Sequence, residues 1–422
     1  MKDLSDDCFV HDKDRMKHEE AINLLKERMV PIARMEELPL DVATGRILAS
    51  DVIAPRNIPG FDNSAVDGYA FAHTDFDTTG GFFPVTARVP AGETENIELP
   101  SSSAARIFTG ARMPQGTDTV AMQEDCEPHT QDGTEFIIIP PGLKNGANCR
   151  LAGEDVKTGS PVALENEQLR PQELAAIAST GKAEVSVFAP LKIALISSGD
   201  EILRPGESYQ DGKVYDANQF MLRGLLDRLN VKITDLGVCP DDRSALEELL
   251  TDAAGVHDVI ISTGGASKGE EDHFVEALDN LGKCHLWQLA VKPGRPMSFG
   301  QIKKTPCFTL PGNPVAAFVC FVLYVRPSLI RLGGGKWNEP ARYPLPASFS
   351  IKSKPDRREF LRGFTVKDED GNLTVAKFDR DGSGLISGLR AATGLIEIPE
   401  DRTSVNQGDM VDFLPFSEFG LI

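Results

Sequence analysis

An eleven-residue stretch, STGGASKGEED (Ser262–Asp272), follows a run of apolar β-forming residues and precedes a predicted helix. Gly264 and Gly265 would let the backbone approach a ligand closely and point free N–H groups at an anion. Ser267 and Lys268 would add donors, and the three acids that end the stretch would bind a cation. The stretch therefore indicates a ligand-binding loop, although a glycine pair after a strand is also common in a plain tight turn.

Four other loops of unusual composition follow predicted strands in the same half of the chain. They are SSGDE (Ser197–Glu201), CPDD (Cys239–Asp242), KPGRP (Lys292–Pro296) and LPGNP (Leu310–Pro314). All contain glycine, proline or acidic residues, and none has the composition of a minimal connector. In an open α/β sheet, ligands bind outside the carboxyl ends of the strands, so the five loops are expected to meet at one edge.

The side chains on these loops predict the chemistry of that edge. Glu201, Asp241 and Asp272 would form a cluster of oxygen ligands suited to magnesium, which takes a few carboxylates together with substrate phosphates. Lys292 and Arg295 would supply positive charge for a phosphate or another oxyanion. Together they favour phosphoryl or adenylyl chemistry. Taken singly, the features have plainer readings: paired aspartates before a helix often form an N-cap, and Pro-Gly-Asn-Pro often forms a simple turn.

The elements that would position these loops are predicted by apolar runs from Leu191 onward. Strands are predicted at LKIALIS, VKITDLGV, HDVIIST, HLWQLAV and PCFTL. Helices alternate with them over Asn218–Leu229, Ser244–Ala254, His273–Leu281 and the residues after Asn313. This alternation predicts the α/β fold class, with a doubly wound and mostly parallel sheet.

The flanking segments have different patterns. Met16–Met29 has the apolar spacing of a helix, and Pro171–Thr180 reads as a short helix with a proline near its start and a glycine just past its end. From Pro59 to Gly146, short β-rich runs alternate with turn residues and include the hairpin signal HTQDGT. After Gly335 long helical patterns end, and a hairpin with a Gly-Asn turn indicates a compact all-β domain.

The overall composition argues against several classes of function. A net charge of −19 does not suit a nucleic-acid-binding surface. The seven scattered cysteines form no C-x-x-C pair and indicate reduced thiols in a cytoplasmic protein. The first residues lack the apolar core of a signal peptide, and the apolar stretch Pro314–Ile330 is expected to be a buried helix and not a membrane span. The sequence contains no Walker loop or H-E-x-x-H motif.

A series of motifs extends along nearly the whole chain. In order they are FDNSAVDGYA, FTGARMP, AGEDV, SSGDEI, CPDD, STGGASKGEED, VKPGRP, LPGNPVA and REFLRG. In these motifs the chain resembles the molybdopterin molybdenumtransferases, a family that includes the E domain of gephyrin. The resemblance implies a multidomain α/β plus β architecture: a polar tail (1–15), a discontinuous helical and linker dimerisation domain (16–57 and 147–187), an inserted β-rich lid domain (58–146), an α/β molybdopterin-binding domain (188–334) and a C-terminal β-barrel-like domain (335–422).

The activity that the resemblance implies is the insertion of molybdenum from molybdate into the dithiolene of adenylated molybdopterin, with magnesium-dependent release of AMP. It also implies an elongated homodimer whose site lies between subunits. Neither nucleic acid nor membrane is an expected partner, and the cytoplasm is the expected location. The pterin adenylyltransferase and molybdoenzyme apoproteins are candidate protein partners.

Matched position by position, the resemblance also implies site residues. The implied catalytic residues are Asp67, Thr109, Asp155, Glu201, Asp241, Asp272, Lys292, Arg362 and Ser383. Those implied to contact the pterin substrate or to shape its loops are Ser198, Gly199, Gly264, Gly265, Ser267, Gly269, Arg295, Pro311 and Pro314. Among these, Glu201, Asp241 and Asp272 would hold magnesium against the phosphates. Lys292, Arg362 and Ser383 would bind the molybdate dianion.

The chain departs from the family pattern at Gln288, where some members have lysine. If that lysine binds molybdate, this protein has one cation fewer there, and Lys268 would partly compensate. Three other functions stay open: a scaffold of the gephyrin type, a tungsten-preferring or inactive paralogue, and the adenylyltransferase that makes the adenylated pterin. The lack of a second fused molybdopterin domain and a long linker argues against the scaffold. The retained acids argue against inactivity, and FDNSAVDGYA argues against the adenylyltransferase.

Overall fold

The structure, a computed structural model, describes residues 15–265 and 273–421 of the chain. Up to Phe188, the described part forms in order α1 (His18–Arg28), β1 (Met35–Pro39), β2 (Val52–Ile53), β3 (Asn63–Ser64), β4 (Gly68–Phe71), α2 (Phe76–Thr79), β5 (Phe82–Val89), β6 (Ala104–Ile107), β7 (Thr119–Met122), β8 (Glu127–Gln131), β9 (Thr134–Ile138), β10 (Cys149–Arg150), β11 (Pro161–Ala163), α3 (Pro171–Ser179) and β12 (Glu184–Phe188).

The remaining elements begin at Leu191. They are β13 (Leu191–Ser198), β14 (Ile202–Leu203), β15 (Val214–Tyr215), α4 (Ala217–Leu226), β16 (Val231–Cys239), α5 (Arg243–Val256), β17 (Val259–Thr263), α6 (Phe274–Leu281), β18 (Gly282–Trp287), β19 (Val291–Lys292), β20 (Ser298–Ile302), β21 (Thr305–Leu310), α7 (Pro314–Cys320), α8 (Arg326–Leu332), β22 (Tyr343–Pro346), β23 (Ile351–Lys352), β24 (Arg358–Lys367), β25 (Leu373–Lys377), α9 (Ile386–Ala391), β26 (Gly394–Ile398), β27 (Ser404–Val405) and β28 (Met410–Pro415). A π-helical turn, Phe321–Val325, joins α7 to α8.

The central sheet has the strand order β16-β13-β17-β21-β20-β18. β16, β13, β17 and β21 are mutually parallel, and β20 is antiparallel to both of its neighbours. β18 therefore runs in the same direction as the parallel strands, and five carboxyl ends lie at one edge. The predicted mostly parallel α/β sheet is confirmed, but the sequence pattern misses β20. Ser298–Ile302 is short, contains a glycine and has only one β-branched residue, so it carries little strand signal.

Helices cover both faces of this sheet and close two apolar cores. α1, α4 and the long helix formed by α7 and α8 pack on one face, and α5 and α6 pack on the other. Pro314–Leu332 is by length and composition apolar enough to cross a membrane, yet 83% of its most apolar window is buried within the fold. It is therefore the core helix that the sequence predicts.

The two stretches predicted to form a helical and linker domain have a mixed structure. α1 buries Ala21, Ile22 and Leu25 in the same core as the central sheet. The rest forms the antiparallel pairs β1–β12 and β2–β11, with α3 packed over a separate small core. These strand pairs join residues more than a hundred positions apart, and such pairing is not visible in short apolar patterns.

Residues 68–138 carry a six-stranded sheet of order β7-β4-β6-β5-β9-β8. The hairpin signal HTQDGT is confirmed, because β8 and β9 pair antiparallel on either side of it. Asp132 and Gly133 have φ of 50° and 80°, the positive values that a tight two-residue hairpin turn requires. Asp67 immediately precedes β4, so this sheet sets its position.

The C-terminal sheet has the order β19-β24-β26-β28-β22, with β25 paired to the other end of β24. The backbone N–H of Ser348 donates to the carbonyl of Val375 at 2.9 Å, which places the residues after β22 beside β25. β19 comes from the loop after β18 and lies parallel to β24, with Lys292 opposite Glu359. The C-terminal sheet is thereby fixed to the carboxyl edge of the central sheet.

Candidate active site

A cleft of 690 Å³ lies at the carboxyl edge of the central sheet. Its wall is formed by the loops after β13, β16, β17 and β21, together with β15 and the start of α4. Of the residues expected at the site, this wall contains Ser198, Gly199, Glu201, Asp241, Gly264, Gly265, Pro311 and Pro314. The structure thus brings the strand-end loops together, as their positions at one sheet edge imply.

The adjacent residues Asp241 and Asp242 do different things. Asp242 caps α5, since its carboxylate accepts a hydrogen bond from the backbone N–H of Ala245 at 2.7 Å. Asp241 points into the loop after β13, where it accepts from the Ser198 hydroxyl at 3.5 Å and the Asp200 backbone N–H at 3.1 Å. The N-cap reading therefore applies to the second aspartate, and the first is free to face the cleft.

Two cleft residues that sequence reasoning missed come from the segment YDAN. Asp216 is buried and caps α4, and it also accepts from the Ser197 hydroxyl at 2.5 Å. The Asn218 amide donates to the Thr263 hydroxyl and to the Gly312 carbonyl, both at 2.7 Å, while its own carbonyl oxygen is buried without a partner. The signal in the sequence was a polar cluster, Asp-Ala-Asn, at the start of an amphipathic helix. Asn218 therefore offers a substrate one unpaired acceptor inside the cleft.

Gly264 is required by the close approach of two strand-end loops. Its φ is +92°, and a Cβ atom at this position would lie 2.2 Å from the backbone carbonyl oxygen of Ser198. No side chain fits at that distance, and the conformation itself is unfavourable for any residue except glycine. The first glycine of STGG thus permits the loops after β13 and β17 to meet.

We expect Gly264→Ala to lower the free energy of unfolding by about 2–4 kcal/mol, because strain and a backbone clash act together. Gly92→Ala is the matched control, since Gly92 has a similar φ of +87° but no atom within 4 Å of the added Cβ. That variant is expected to lose only about 1 kcal/mol. Urea denaturation of both variants measures the difference, and equal losses would contradict the close-approach argument.

A second pocket, of 410 Å³, adjoins the cleft and has the opposite electrostatic character. The two share Pro296, Pro311 and Asn313 in their walls. The second pocket is lined by the expected residues Lys292, Arg295, Arg362 and Ser383, and also by Arg15, Arg357, Lys377 and Asp381. We call it the cationic pocket. Sequence reasoning missed Arg357, for which the paired arginines before EFLRG were the available signal.

Arg362 and Glu359 organise the cationic pocket. Arg362 is 7% exposed, and its guanidinium donates to the carbonyls of Leu385 at 3.0 Å and Arg380 at 2.7 Å. Burial lowers the pKa of this guanidinium. The nearby carboxylate of Asp381 acts in the opposite direction but does not cancel the effect of burial. Arg362 therefore fixes the loop that carries Ser383 while keeping a positive charge at the pocket wall.

Glu359 is buried between two cations of this pocket. Its carboxylate lies 2.6 Å from Nη2 of Arg357 and 3.4 Å from Nζ of Lys292. Burial raises the pKa of Glu359, but the hydrogen bond from Arg357 and the charge of Lys292 more than offset this and leave the pKa below its usual value. Glu359 is thus ionised and holds both cations at one wall.

The other expected site residues lie elsewhere or outside the described residues. Asp67 accepts from the backbone N–H and the hydroxyl of Thr109, both at 2.8 Å, and these bonds lower the pKa of its carboxyl. Asp67, Thr109 and Asp155 line neither pocket of their own chain. Gln288 has φ of +64° and also lines neither pocket. Outside the described residues fall Ser267, Lys268, Gly269 and Asp272.

The described cysteines have no visible role in this chemistry. All of them are free thiols, in agreement with the sequence reading. Burial raises the pKa of Cys126 to about 11 and that of Cys307 to about 12. Such thiols are protonated at neutral pH and are poor nucleophiles.

Three family models match successive parts of the chain. Residues 16–181 match the MoeA N-terminal region (domain I and II), and residues 194–331 match a probable molybdopterin binding domain. Residues 344–416 match the MoeA C-terminal region (domain IV). The matches together span most of the chain.

Individual proteins give the same result. The chain is 37% identical over 401 residues to the molybdopterin molybdenumtransferase of Haemophilus influenzae, covering 94% of this chain and 98% of the relative. It is 32% identical over 386 residues to the molybdopterin molybdenumtransferase of Nostoc, covering 88% and 87%. A crystal structure of the molybdopterin biosynthesis MoeA protein of Pyrococcus horikoshii matches with a TM-score of 0.80 at 30% identity, covering 95% of this chain and 100% of that one.

Proposed function

Because this chain belongs to the MoeA family of molybdopterin molybdenumtransferases, we propose that it transfers molybdenum from molybdate to adenylated molybdopterin and releases AMP in a magnesium-dependent step. Its role in molybdenum cofactor biosynthesis follows from the family. The observation that carries the finer proposal is the shared wall between a cleft with carboxylates and a cationic pocket. A pterin substrate in the cleft would lie next to an oxyanion held in the pocket.

The donor set of the cleft fits a magnesium ion. Glu201 and Asp241 both line it, and the described residues contain no larger group of histidine, cysteine, aspartate or glutamate side chains that could hold a metal. Magnesium binds proteins through one or two carboxylates and takes its other ligands from substrate phosphates and water, so this pair suffices. When bound, the ion would offset the phosphate charge and polarise the linkage that releases AMP. From the family resemblance we add Asp272 to this cluster.

The residues of the cleft would orient the substrate. The free acceptor of Asn218 can receive an N–H or O–H group, and the backbone at Gly264 and Gly265 can approach a phosphate closely. Asp241, held by Ser198 and the Asp200 backbone, is fixed in place before any ligand arrives. A fixed carboxylate needs little reorganisation when charge develops on a reacting phosphate.

The cationic pocket would hold molybdate. Lys292, Arg362 and Ser383 are the residues that the family resemblance assigns to the oxyanion, and all three line this pocket. Charge-assisted hydrogen bonds from lysine and arginine to an oxyanion are about twice as strong as neutral ones. The pocket would therefore keep the dianion beside the cleft until the pterin is ready to accept molybdenum.

We also propose that the chain acts as a cytoplasmic homodimer in which Asp67, Thr109 and Asp155 complete the partner's cleft. The support is that these residues line neither pocket of their own chain although the family resemblance assigns them to the site. Thr109 and Asp155 are exposed and so are available to a second subunit. Transfer of the pterin from an adenylyltransferase, and of the product to a molybdoenzyme apoprotein, would complete the set of partners.

The test is a single-turnover assay with purified protein, adenylated molybdopterin and magnesium. AMP is expected to appear only when molybdate is added. ATP-dependent adenylation of the pterin would instead favour an adenylyltransferase. No turnover with either molybdate or tungstate would favour a scaffold. Faster release with tungstate than with molybdate would favour the tungsten-preferring alternative.

We expect Arg357→Met to weaken molybdate binding by about 10-fold, because it removes one charge-assisted donor from the pocket wall. Gln288→Lys is the complementary variant and is expected to leave the affinity unchanged, since position 288 lines neither pocket. Equilibrium dialysis with molybdate measures both affinities. A gain in affinity with Gln288→Lys, together with no loss for Arg357→Met, would mean that a cation is missing at position 288 and that Arg357 does not bind molybdate.

A further inference from the structure

A cavity of 530 Å³ lies at the opposite edge of the central sheet from the cleft. It is bounded by Leu229, Asn230 and Val231, which lead into the amino end of β16, and by the last turns of α8. Because the cleft uses the carboxyl ends of the strands, the length of the strands separates the two. This cavity, which we call the amino-edge cavity, belongs to neither pocket of the active site.

Arg326 is an unpaired cation in the wall of the amino-edge cavity. It lies on the buried helix Pro314–Leu332, and burial lowers the pKa of its guanidinium. Among residues 15–265 and 273–421, no carboxylate or carbonyl lies within bonding distance of it. Charges removed from water are normally paired, because desolvation without a partner is unfavourable. Arg326 is only partly buried, so it presents a partly desolvated cation without a protein partner to the cavity.

The acids of the same wall are already engaged by other groups. Glu339 pairs with Lys26 and with Arg342. Glu418 accepts from the hydroxyl of Tyr343 at 3.0 Å and from a backbone N–H at 3.2 Å. Neither carboxylate is paired with Arg326, and Glu339 is already paired with cations outside the cavity wall.

Two further cations of the wall are only weakly engaged. Lys336 lies 3.5 Å from Glu167, and both side chains are substantially exposed, so this pair contributes little. Arg228 donates to the backbone carbonyl of Gly420 at 3.2 Å and has no carboxylate partner among the described residues. The cavity thus has three cations and an excess of positive charge within an acidic protein.

We propose that the amino-edge cavity is a second anion site, which binds phosphate or a phosphate monoester through Arg326. A phosphate group accepts the forked donors of a guanidinium well, and Lys336 and Arg228 add charge around it. The volume lies in the range of small-molecule sites and leaves room beyond one phosphate for an organic group. Ile47, Leu329 and Phe419 give that group apolar surface.

The experiment must separate this cavity from the cationic pocket, which also attracts oxyanions. We therefore use Arg362→Met protein, in which the cationic pocket is weakened, and compare it with the Arg326→Met/Arg362→Met double variant. Calorimetric titrations with inorganic phosphate, and separately with glycerol 3-phosphate, are made at constant ionic strength. The single variant is expected to bind about one equivalent, and the double variant is expected to bind at least about 10-fold more weakly. A higher affinity for glycerol 3-phosphate than for inorganic phosphate would identify a monoester as the ligand.

Thermal unfolding gives a second measurement, in which the Arg326 substitution should have opposite effects on the unfolding temperature without phosphate and on the stabilisation by phosphate. Without phosphate, Arg326→Met is expected to raise the unfolding temperature, because it removes an unpaired and partly buried charge. With phosphate, the unfolding temperature of the Arg362→Met protein is expected to rise and that of the Arg326→Met/Arg362→Met double variant to stay constant. Lys336→Gln, at an exposed position, is expected to weaken phosphate binding several-fold without affecting folding. Equal phosphate affinity in the single and double variants, or no millimolar binding to Arg362→Met, would overturn the proposal.

Discussion

Asp241→Asn is expected to reduce the rate of molybdate-dependent AMP release by about 10²–10³-fold, the loss typical of removing one charge-stabilising group from an active site. Asparagine has the same shape as aspartate; its oxygen can still accept from the Asp200 backbone N–H, and its NH2 group can donate to the Ser198 hydroxyl oxygen in place of the bond that Asp241 accepts. It cannot supply the negative charge that, in the proposed function, would hold magnesium against the substrate phosphates. The fold is therefore expected to persist while the chemistry is lost. Quenched-flow measurement of AMP gives the rate directly.

The matched control for this variant is the next residue along the chain. Asp242 caps α5 through a hydrogen bond from Ala245, and asparagine is as good an N-cap as aspartate. Asp242→Asn is therefore expected to change neither stability nor AMP release. A similar rate loss in both variants would show that the rate depends on the overall negative charge near the cleft and not on the Asp241 carboxylate in particular. A near-normal rate for Asp241→Asn would remove it from the magnesium site.

Arg362→Met is expected to weaken molybdate binding by about 100-fold, because it removes a buried guanidinium from the pocket wall. It also removes the donors to the carbonyls of Leu385 and Arg380, which hold the loop that carries Ser383. Losing two partly buried hydrogen bonds from a charged donor costs about 1–3 kcal/mol, so the variant should unfold more easily as well. Molybdate affinity is measured by equilibrium dialysis, and stability by urea denaturation.

Two controls separate the loss of the anion site from general damage. Arg390→Met removes an exposed arginine from α9 in the same domain and is expected to change neither property. Binding of adenylated molybdopterin to Arg362→Met is expected to stay within about 3-fold of wild type, since the cleft lies on the other side of the shared wall. Equal losses of molybdate and pterin affinity would mean that the two pockets do not act as separate subsites.

The position of the candidate cleft was largely predictable because strand direction fixes where loops end. Once β13, β16, β17 and β21 are parallel, their carboxyl ends must share an edge, and the glycines and acids after them must meet. The loop KPGRP also lies at this edge, but the reason is harder to find in the sequence. It connects β18 to the antiparallel β20, and the sequence signal of β20 is too weak to predict.

Other features depended on contacts that no local pattern encodes. Asp216 and Asn218 line the cleft because α4 begins beside it. In the sequence they have only the pattern of residues at the start of a helix. Arg357 reaches the cationic pocket through the pairing of β19 with β24, which joins distant parts of the chain. α1 packs into the central core and not into a separate helical unit, because its apolar face matches α7 and α8. In each of these cases, contacts between segments distant in the sequence determine where the residue or helix lies.

The central claim is that oxyanion and pterin occupy two adjoining pockets at one sheet edge. Crystals soaked with molybdate and measured at the molybdenum absorption edge test it most directly, because the anomalous signal locates the metal without a model of the ligand. One strong peak is expected in the cationic pocket, within contact of Lys292, Arg362 and Ser383. A strong peak at any other place, with the cationic pocket free of anomalous density, would contradict it.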